Sequence, residues 1–104
     1  MAFQAHDMQT LNAVLKQNNS VAILFNDGSI IMNFAMEPEF DLMSTQSNDI
    51  FFVKVNLEEV PEAQELATQK GLATVNLYEQ GSLIQSIPGY NLELIKGALL
   101  RNVV

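Results

Sequence analysis

The side chains that most often carry covalent and redox catalysis are scarce in this chain. Its 104 residues include no cysteine and one histidine, His6. The absence of cysteine excludes disulfide bridges, zinc sites built on thiolates and thiol catalysis. One histidine and scattered carboxylates do not supply the donors of a transition-metal site. We therefore expect neither a bound metal nor a cofactor.

Ser29, Asp27 and His6 are the residue types of a hydrolytic triad. In the order of elements derived below, His6 lies at the first strand–helix junction, and we expect it to lie away from the edge that carries Ser29. A serine just before an apolar helical pattern caps the first backbone N–H groups of the helix. We interpret Ser29 in that way. A small enzyme that uses residues 27–33 for non-thiol chemistry remains an alternative.

Charge and hydropathy exclude several classes of partner. The formal net charge is −7, with only four lysines and one arginine, so clustered cations for nucleic acid or an anionic membrane surface are missing. The first ten residues, MAFQAHDMQT, lack the basic and apolar regions of a secretory signal. No run approaches the roughly 20 apolar residues of a membrane span. We expect a cytoplasmic protein that binds neither nucleic acid nor membrane.

The chain has the length and apolar content, 48%, of one domain, which we assign to residues 1–104. Apolar runs and turn residues predict strands at 2–5, 21–25, 50–57, 74–78 and 83–87. Helices are predicted after Asp7, from Ile30 to about Thr45 with a kink at Pro38, from Pro61, and after Asn91. The order β-α-β-α-β-α-β-β-α predicts a three-layer α/β/α domain with a mixed central sheet.

Several residues stand at distinctive positions within these elements. Phe25 ends the second strand, and Pro38 lies within the helix that follows it. Residues 74–81, TVNLYEQG, follow the pattern Thr–apolar–x–apolar–aromatic–x–x–Gly, and Gly89 follows the fifth strand. Together these features resemble the thioredoxin family over nearly the whole chain. The resemblance implies the thioredoxin fold.

The departures from that family fall on its chemistry. The five positions of its Trp-Cys-Gly-Pro-Cys motif correspond here to Ser29, Ile30, Ile31, Met32 and Asn33. Dithiol exchange needs a thiolate nucleophile and a second, resolving thiol, and neither isoleucine nor asparagine supplies one. The resemblance therefore implies a redox-inactive relative.

Three further positions bear on the same site. Leu24 stands where the family has a buried carboxylate, and Lys54, the lysine near that carboxylate, is expected to have lost its partner. Ala73 takes the place of the family's cis-proline. Because a cis peptide before a residue other than proline costs about 2.5–4 kcal/mol, we expect the Leu72–Ala73 peptide to be trans.

The surface formed by these positions suggests that the protein binds a partner. Thioredoxin-like proteins hold extended polypeptide beside the motif, and exposed apolar residues commonly mark partner sites. The residues expected to bind a protein or peptide partner are Ile30, Ile31, Met32, Leu72, Ala73 and Thr74. A homodimer or a purely structural subunit is the alternative.

A separate acidic stretch consists of Glu58, Glu59, Glu62 and Glu65. We interpret it as a solvated helix start, where carboxylates favour the helix dipole. Docking of a basic partner or of a divalent cation is the alternative.

Overall fold

A computed structural model describes residues 2–67, 73–88 and 91–100. The strands are β1 (Phe3–Ala5), β2 (Ser20–Asn26), β3 (Phe51–Asn56), β4 (Ala73–Glu79) and β5 (Ser82–Pro88). The α-helices are α1 (Met8–Gln17), α2 (Glu37–Gln46), α3 (Gln64–Ala67) and α4 (Leu92–Leu100). A π-helical turn (Met32–Met36) precedes α2, and a 3-10 turn (Pro61–Ala63) precedes α3. The predicted order of elements is confirmed. Gly89 lies outside the described residues.

The five strands form one mixed sheet in the order β1-β3-β2-β4-β5. β1, β3 and β2 are parallel, whereas β4 is antiparallel to β2 and β5 is antiparallel to β4. The three parallel strands therefore end at one side of the sheet, which we call the carboxyl edge. β4 begins at this same edge, because Val75 pairs with Leu24 and Glu79 pairs with Ser20.

Helices cover both faces of the sheet. On one face the π-helical turn, α2 and α4 pack over Leu24 through a cluster that includes Phe40 and Ile95. On the other face α1 and α3 pack over Ile23 and Phe25. β2 lies between these layers, and its residues 21–26 are all buried. This burial explains the continuous apolar run from which the strand was predicted. No helix in the described ranges is long and apolar enough to span a bilayer.

Side-chain caps begin the first and last helices, as predicted. The Asp7 carboxylate accepts the backbone N–H of Thr10 at 2.7 Å, and this hydrogen bond lowers the pKa of Asp7. Asn91 Oδ1 accepts the N–H of Leu94 at 3.1 Å. The hairpin between β4 and β5 turns at Gln80 and Gly81, whose φ angles of 52° and 82° belong to a two-residue turn.

The helix that carries Pro38 was predicted to be kinked, and the structure shows how the chain accommodates the proline. Helical backbone starts at Ile30, and a π-helical turn follows in which the Glu37 N–H donates to the Met32 carbonyl. Pro38 then lies in the first turn of α2. A proline lacks the N–H that a mid-helix residue donates, but at the start of a helical segment that loss costs little. The wide turn thus allows two helical segments to continue as one element.

Candidate functional site

The loop that leaves β2 at the carboxyl edge is shaped by side chains that bond to its own backbone. Asn26 Oδ1 accepts the N–H of Gly28 at 2.7 Å, and Asp27 Oδ1 accepts the N–H of Ser29 at 2.9 Å. Ser29 Oγ accepts the N–H of Met32 at 3.1 Å, which confirms the predicted helix cap. The first two bonds satisfy backbone donors of the loop, and the third satisfies one that the helix start leaves open.

Gly28 lies at the tightest point of this loop. Its φ of +85° is in the left-handed region, which a residue with a Cβ adopts only at a cost. A Cβ at this position would also meet the Glu58 side chain, whose Cδ would lie 2.9 Å away. The Glu58 carboxylate therefore rests directly against the loop after β2.

Replacing Gly28 with alanine is expected to lower the free energy of unfolding by about 1–2 kcal/mol, because both the backbone and the Glu58 carboxylate must adjust. Gly97 provides a matched control, since it lies in α4 and an added Cβ would meet no atom within 4 Å. Gly97→Ala is expected to stabilise the protein by about 0.5–1 kcal/mol. Urea denaturation measures both values. If Gly28→Ala were as stable as the unsubstituted protein, the claim that a Cβ at this position causes strain would be wrong.

Three large apolar side chains stand in solvent where the helix begins. Ile30 is 76% exposed, Ile31 53% and Phe34 78%. We call these three residues the apolar tip. Sequence reasoning anticipated the two isoleucines but missed Phe34. The signal was available, because residues four apart share one face of a helix, and Phe34 follows Ile30 by that spacing.

The structure corrects the expectation for three other residues. Met32 was expected to present its side chain to a partner, but it is 1% exposed and belongs to the core beneath the helix with Met36 and Phe40. Its position one helical turn before Met36 places it on the inward face. Ala73 and Thr74 lie at the same edge but are buried, since they begin the inner strand β4. Their side chains therefore do not form a contact surface.

Leu72, and with it the Leu72–Ala73 peptide expected to be trans, lies outside the described residues. Of the six residues expected to bind a partner, the described part of the chain therefore presents the side chains of Ile30 and Ile31. Phe34 joins them. Within the described residues, the candidate surface is therefore the exposed start of the helix that follows β2.

A network of polar side chains lies between this helical end and the sheet. Asn26 Nδ2 donates to Asn33 Oδ1 at 2.8 Å and also contacts Glu37 Oε2. Glu37 Oε1 accepts a hydrogen bond from Lys54 Nζ at 3.3 Å, and Lys54 Nζ also donates to Asp41 Oδ2 at 3.2 Å. We call these five residues the polar network. It ties Asn33 to the end of β2, to β3 and to helix α2.

Lys54 is the centre of that network, and its surroundings overturn one expectation. The side chain was expected to have lost its partner because Leu24 occupies the position of the family's carboxylate. Leu24 is indeed buried in the apolar core beside it, but Glu37 and Asp41 supply two carboxylates from α2. The counter-charges of Lys54 therefore lie on the helix and not on the neighbouring strand. The sequence carried a signal, because a lysine within the buried strand Phe51–Asn56 requires a nearby anion.

His6 lies at the carboxyl edge, contrary to the expectation that it would be away from it. The expectation was wrong because β1 is parallel to β2, so both strands end on the same side of the sheet. β3 nevertheless separates the two strands, and His6 Nδ1 lies 3.0 Å from the Glu59 carboxylate. Its partner is therefore not Asp27 or Ser29. Within residues 2–67, 73–88 and 91–100, no three histidine or carboxylate side chains group as metal ligands would.

Comparison with known proteins gives structural relatives but no sequence relatives. No protein-family model matches the chain, and no curated protein sequence matches it. Among solved structures, oxidised thioredoxin from Plasmodium falciparum superposes with a TM-score of 0.87 at 19% identity, over 100% of both chains. Mitochondrial thioredoxin 3 from Saccharomyces cerevisiae gives 0.82 at 21% identity, over 96% of this chain and 94% of that one.

Thioredoxin from Malassezia sympodialis gives a TM-score of 0.80 at 17% identity, over 100% of this chain and 96% of that one. These identities are low, so the likeness concerns the fold. It confirms the architecture that the spacing of Phe25, Pro38 and the hairpin predicted. The chain is a cysteine-free protein with the thioredoxin fold.

Proposed function

We propose that this protein binds a protein or peptide partner through the apolar tip and does not act as a dithiol–disulfide oxidoreductase. The observation that carries the proposal is the exposure of Ile30, Ile31 and Phe34 within the first turns of one helix. A side chain of this size gains about 1.5–3 kcal/mol when it moves from water into a fully apolar contact. Three of them together therefore form a substantial anchor for a partner.

The tip is also held in place, which reduces the ordering cost of binding. Ser29 caps the helix, and Met32 and Met36 bury its inward face in the core. A side chain on a rigid element loses less freedom on association than one on a loop. This support favours a preformed contact surface.

The polar groups around the tip favour binding over catalysis by residues 27–33. Asp27 Oδ1 accepts a loop N–H, Ser29 Oγ accepts a helical N–H, and Asn33 Oδ1 accepts the Asn26 amide. The first two bonds shape the backbone, and the third joins Asn33 to the polar network. With isoleucine and asparagine at the two thiol positions, neither step of dithiol exchange has a nucleophile.

Peptides selected from a random phage-displayed library against the unsubstituted protein provide the test. Their affinities are expected to fall at least about tenfold with Ile30→Asp or Phe34→Asp, because a charge placed in an apolar contact costs about 1.4 kcal/mol or more. Leu42→Asp is the control. Leu42 is exposed on the continuation of the same helix, about 12 Å beyond Phe34 along the helix axis. Fluorescence anisotropy with labelled peptides measures the affinities.

The proposal fails if the selected peptides bind Ile30→Asp and Phe34→Asp as tightly as the unsubstituted protein. It also fails if Leu42→Asp weakens binding equally, because the peptides would then not contact the tip. Thermal unfolding of each variant confirms that the comparison is made between folded proteins.

A further inference from the structure

We infer that Asn26 is the positioning residue of the apolar tip. Its carboxamide holds the chain before Ile30 and on both sides of Phe34, and so fixes where the tip faces. Asn26 is 5% exposed, so it is not part of the contact surface itself. This inference rests on the proposed function, because the position of the tip matters to a partner only if the tip binds one.

Asn26 is the last residue of β2, and its backbone is fixed to the sheet. It pairs with Asn56 of the parallel strand β3, and its carbonyl accepts the N–H of Leu57 at 2.9 Å. The residues of β2 that precede it, from Val21 onwards, are all buried. The Asn26 side chain therefore starts from a fixed point of the central sheet.

The Asn26 carboxamide makes three hydrogen bonds to the chain that carries the tip. Its Oδ1 accepts the N–H of Gly28 at 2.7 Å, and its Nδ2 donates to Asn33 Oδ1 at 2.8 Å. The same Nδ2 donates to Glu37 Oε2. A carboxamide has one acceptor oxygen and a nitrogen with two N–H groups, so both of its polar atoms are used.

The three residues that Asn26 contacts alternate with tip residues along the chain. Gly28 lies two residues before Ile30. Asn33 directly precedes Phe34, and Glu37 follows Phe34 by three residues. Asn33 also lies within the π-helical turn, and Glu37 comes directly after it as the first residue of α2. One buried amide therefore joins the loop, the wide turn and the helix to the end of β2.

Packing alone specifies the position of the tip less sharply. The buried side chains of the π-helical turn are Met32 and Met36, and methionine is flexible enough to fill a core in several conformations. Hydrogen bonds depend on distance and angle, and a buried polar group that loses its partner is costly. We therefore assign to Asn26 the directional contacts that keep Phe34 beside Ile30.

Asn26→Asp tests this role, because it keeps the shape of the side chain and the acceptor for Gly28 but removes both donors. It also places a second carboxylate against Glu37. The peptides selected against the unsubstituted protein are expected to bind this variant at least about fivefold more weakly. Fluorescence anisotropy measures this change.

A second measurement on Asn26→Asp needs no peptide. The Glu37 amide hydrogen bonds to the Met32 carbonyl across the π-helical turn. Its exchange with solvent is expected to accelerate at least about tenfold more than exchange of the α1 amides, because the turn opens locally. Hydrogen exchange followed by NMR measures both. Equal acceleration in α1 would contradict the inference, since Asn26 would then stabilise only the fold as a whole.

Glu37→Gln, added to Asn26→Asp, restores the pairing in reverse. The introduced amide donates to the introduced carboxylate, its oxygen still accepts from Lys54, and the net charge equals that of the unsubstituted protein. This double variant is expected to return affinity and exchange to within about twofold of the unsubstituted protein. Asn48→Asp is the matched control, because Asn48 is exposed and precedes β3 at the opposite edge of the sheet. It is expected to change either value less than about twofold.

The inference is wrong if Asn26→Asp behaves as Asn48→Asp does, or if faster exchange at Glu37 leaves the peptide affinities unchanged. It is also wrong if the double variant recovers neither value, because lost hydrogen bonds were then not the cause. Asn33→Ala covers the case in which Asn26→Asp does not fold, since Asn33 is exposed. Exchange at Glu37 is expected to accelerate at least about threefold in that variant, and unchanged exchange would contradict the inference.

Phe34→Asp separates this inference from the proposed function. If the peptides bind Phe34→Asp as tightly as the unsubstituted protein, the proposed function fails, whatever the result for Asn26. If Phe34→Asp abolishes binding while Asn26→Asp does not weaken it, the tip is the binding surface and Asn26 does not position it.

Discussion

Replacing Lys54 with methionine is expected to lower the free energy of unfolding by about 3 kcal/mol. Lys54 is 8% exposed, and its ammonium lies 3.2–3.3 Å from carboxylate oxygens of Asp41 and Glu37. Without the ammonium, two partly buried carboxylates face one another with no counter-charge between them. Methionine keeps most of the apolar stem, so the loss reports on the charge. Urea denaturation, followed by far-UV circular dichroism, measures the change.

Lys96→Met is the matched control, because it removes the same charge from the same side of the sheet. Lys96 and Glu39 are 45% and 36% exposed at the side chain, and their ion pair spans 3.6 Å. Such an exposed pair contributes about 0–1 kcal/mol. If Lys54→Met proves no more harmful than Lys96→Met, the polar network does not stabilise the fold.

Neutralising the two acceptors should recover part of the lost stability. Lys54→Met combined with Glu37→Gln and Asp41→Asn leaves no uncompensated charge in the network. Replacing all members of a buried ion cluster is often much less costly than removing one of them. Recovery of at least half of the Lys54→Met effect would show that repulsion between the two carboxylates, and not lost packing, caused it. No recovery would show that repulsion between the two carboxylates is not the cause of the lost stability.

Installing cysteines at positions 30 and 33 is expected to create dithiol reductase activity where none is available now. Ile30 is the first helical residue and is largely exposed, so a thiol there would lie at the positive end of a helix dipole, which lowers its pKa. Asn33 lies one turn later and is also exposed. Reduction of insulin in the presence of dithiothreitol is expected to accelerate at least about fivefold over Ile30→Cys alone, since a resolving thiol must release the mixed disulfide.

The control for this gain is a second pair of cysteines with the same spacing, Leu42→Cys with Thr45→Cys. Both positions are exposed on α2, but they lie at its far end, where the helix dipole disfavours a thiolate. This pair is expected to match a single cysteine. If Ile30→Cys with Asn33→Cys is folded yet no faster than the control, these positions are not equivalent to the thioredoxin thiols.

Much of the fold could be predicted from the sequence because its signals are local. The buried run of β2 needs only consecutive apolar residues, and the helix starts at Asp7, Ser29 and Asn91 need only a side-chain oxygen near the first N–H groups. Pro38 interrupts its helix through its own missing donor. Each of these signals depends only on residues that are close to one another in the sequence. Their spacing was therefore sufficient to predict the thioredoxin architecture.

The candidate site depended on distances that no local pattern contains. The pairing of Lys54 with Glu37 and Asp41 joins residues from a strand and a helix, and it followed only when α2 was placed on the sheet. His6 lies at the carboxyl edge because β1 pairs with β3 in parallel. The direction of that pairing depends on residues far apart in the sequence.

The missing thiols were determined by the sequence itself, because a composition without cysteine leaves dithiol exchange no nucleophile. The apolar tip was decided by tertiary structure. Helical periodicity indicates which residues share a face, but only packing against the sheet determines which face is buried. That packing turned Met32 into the core and left Phe34 in solvent beside Ile30 and Ile31.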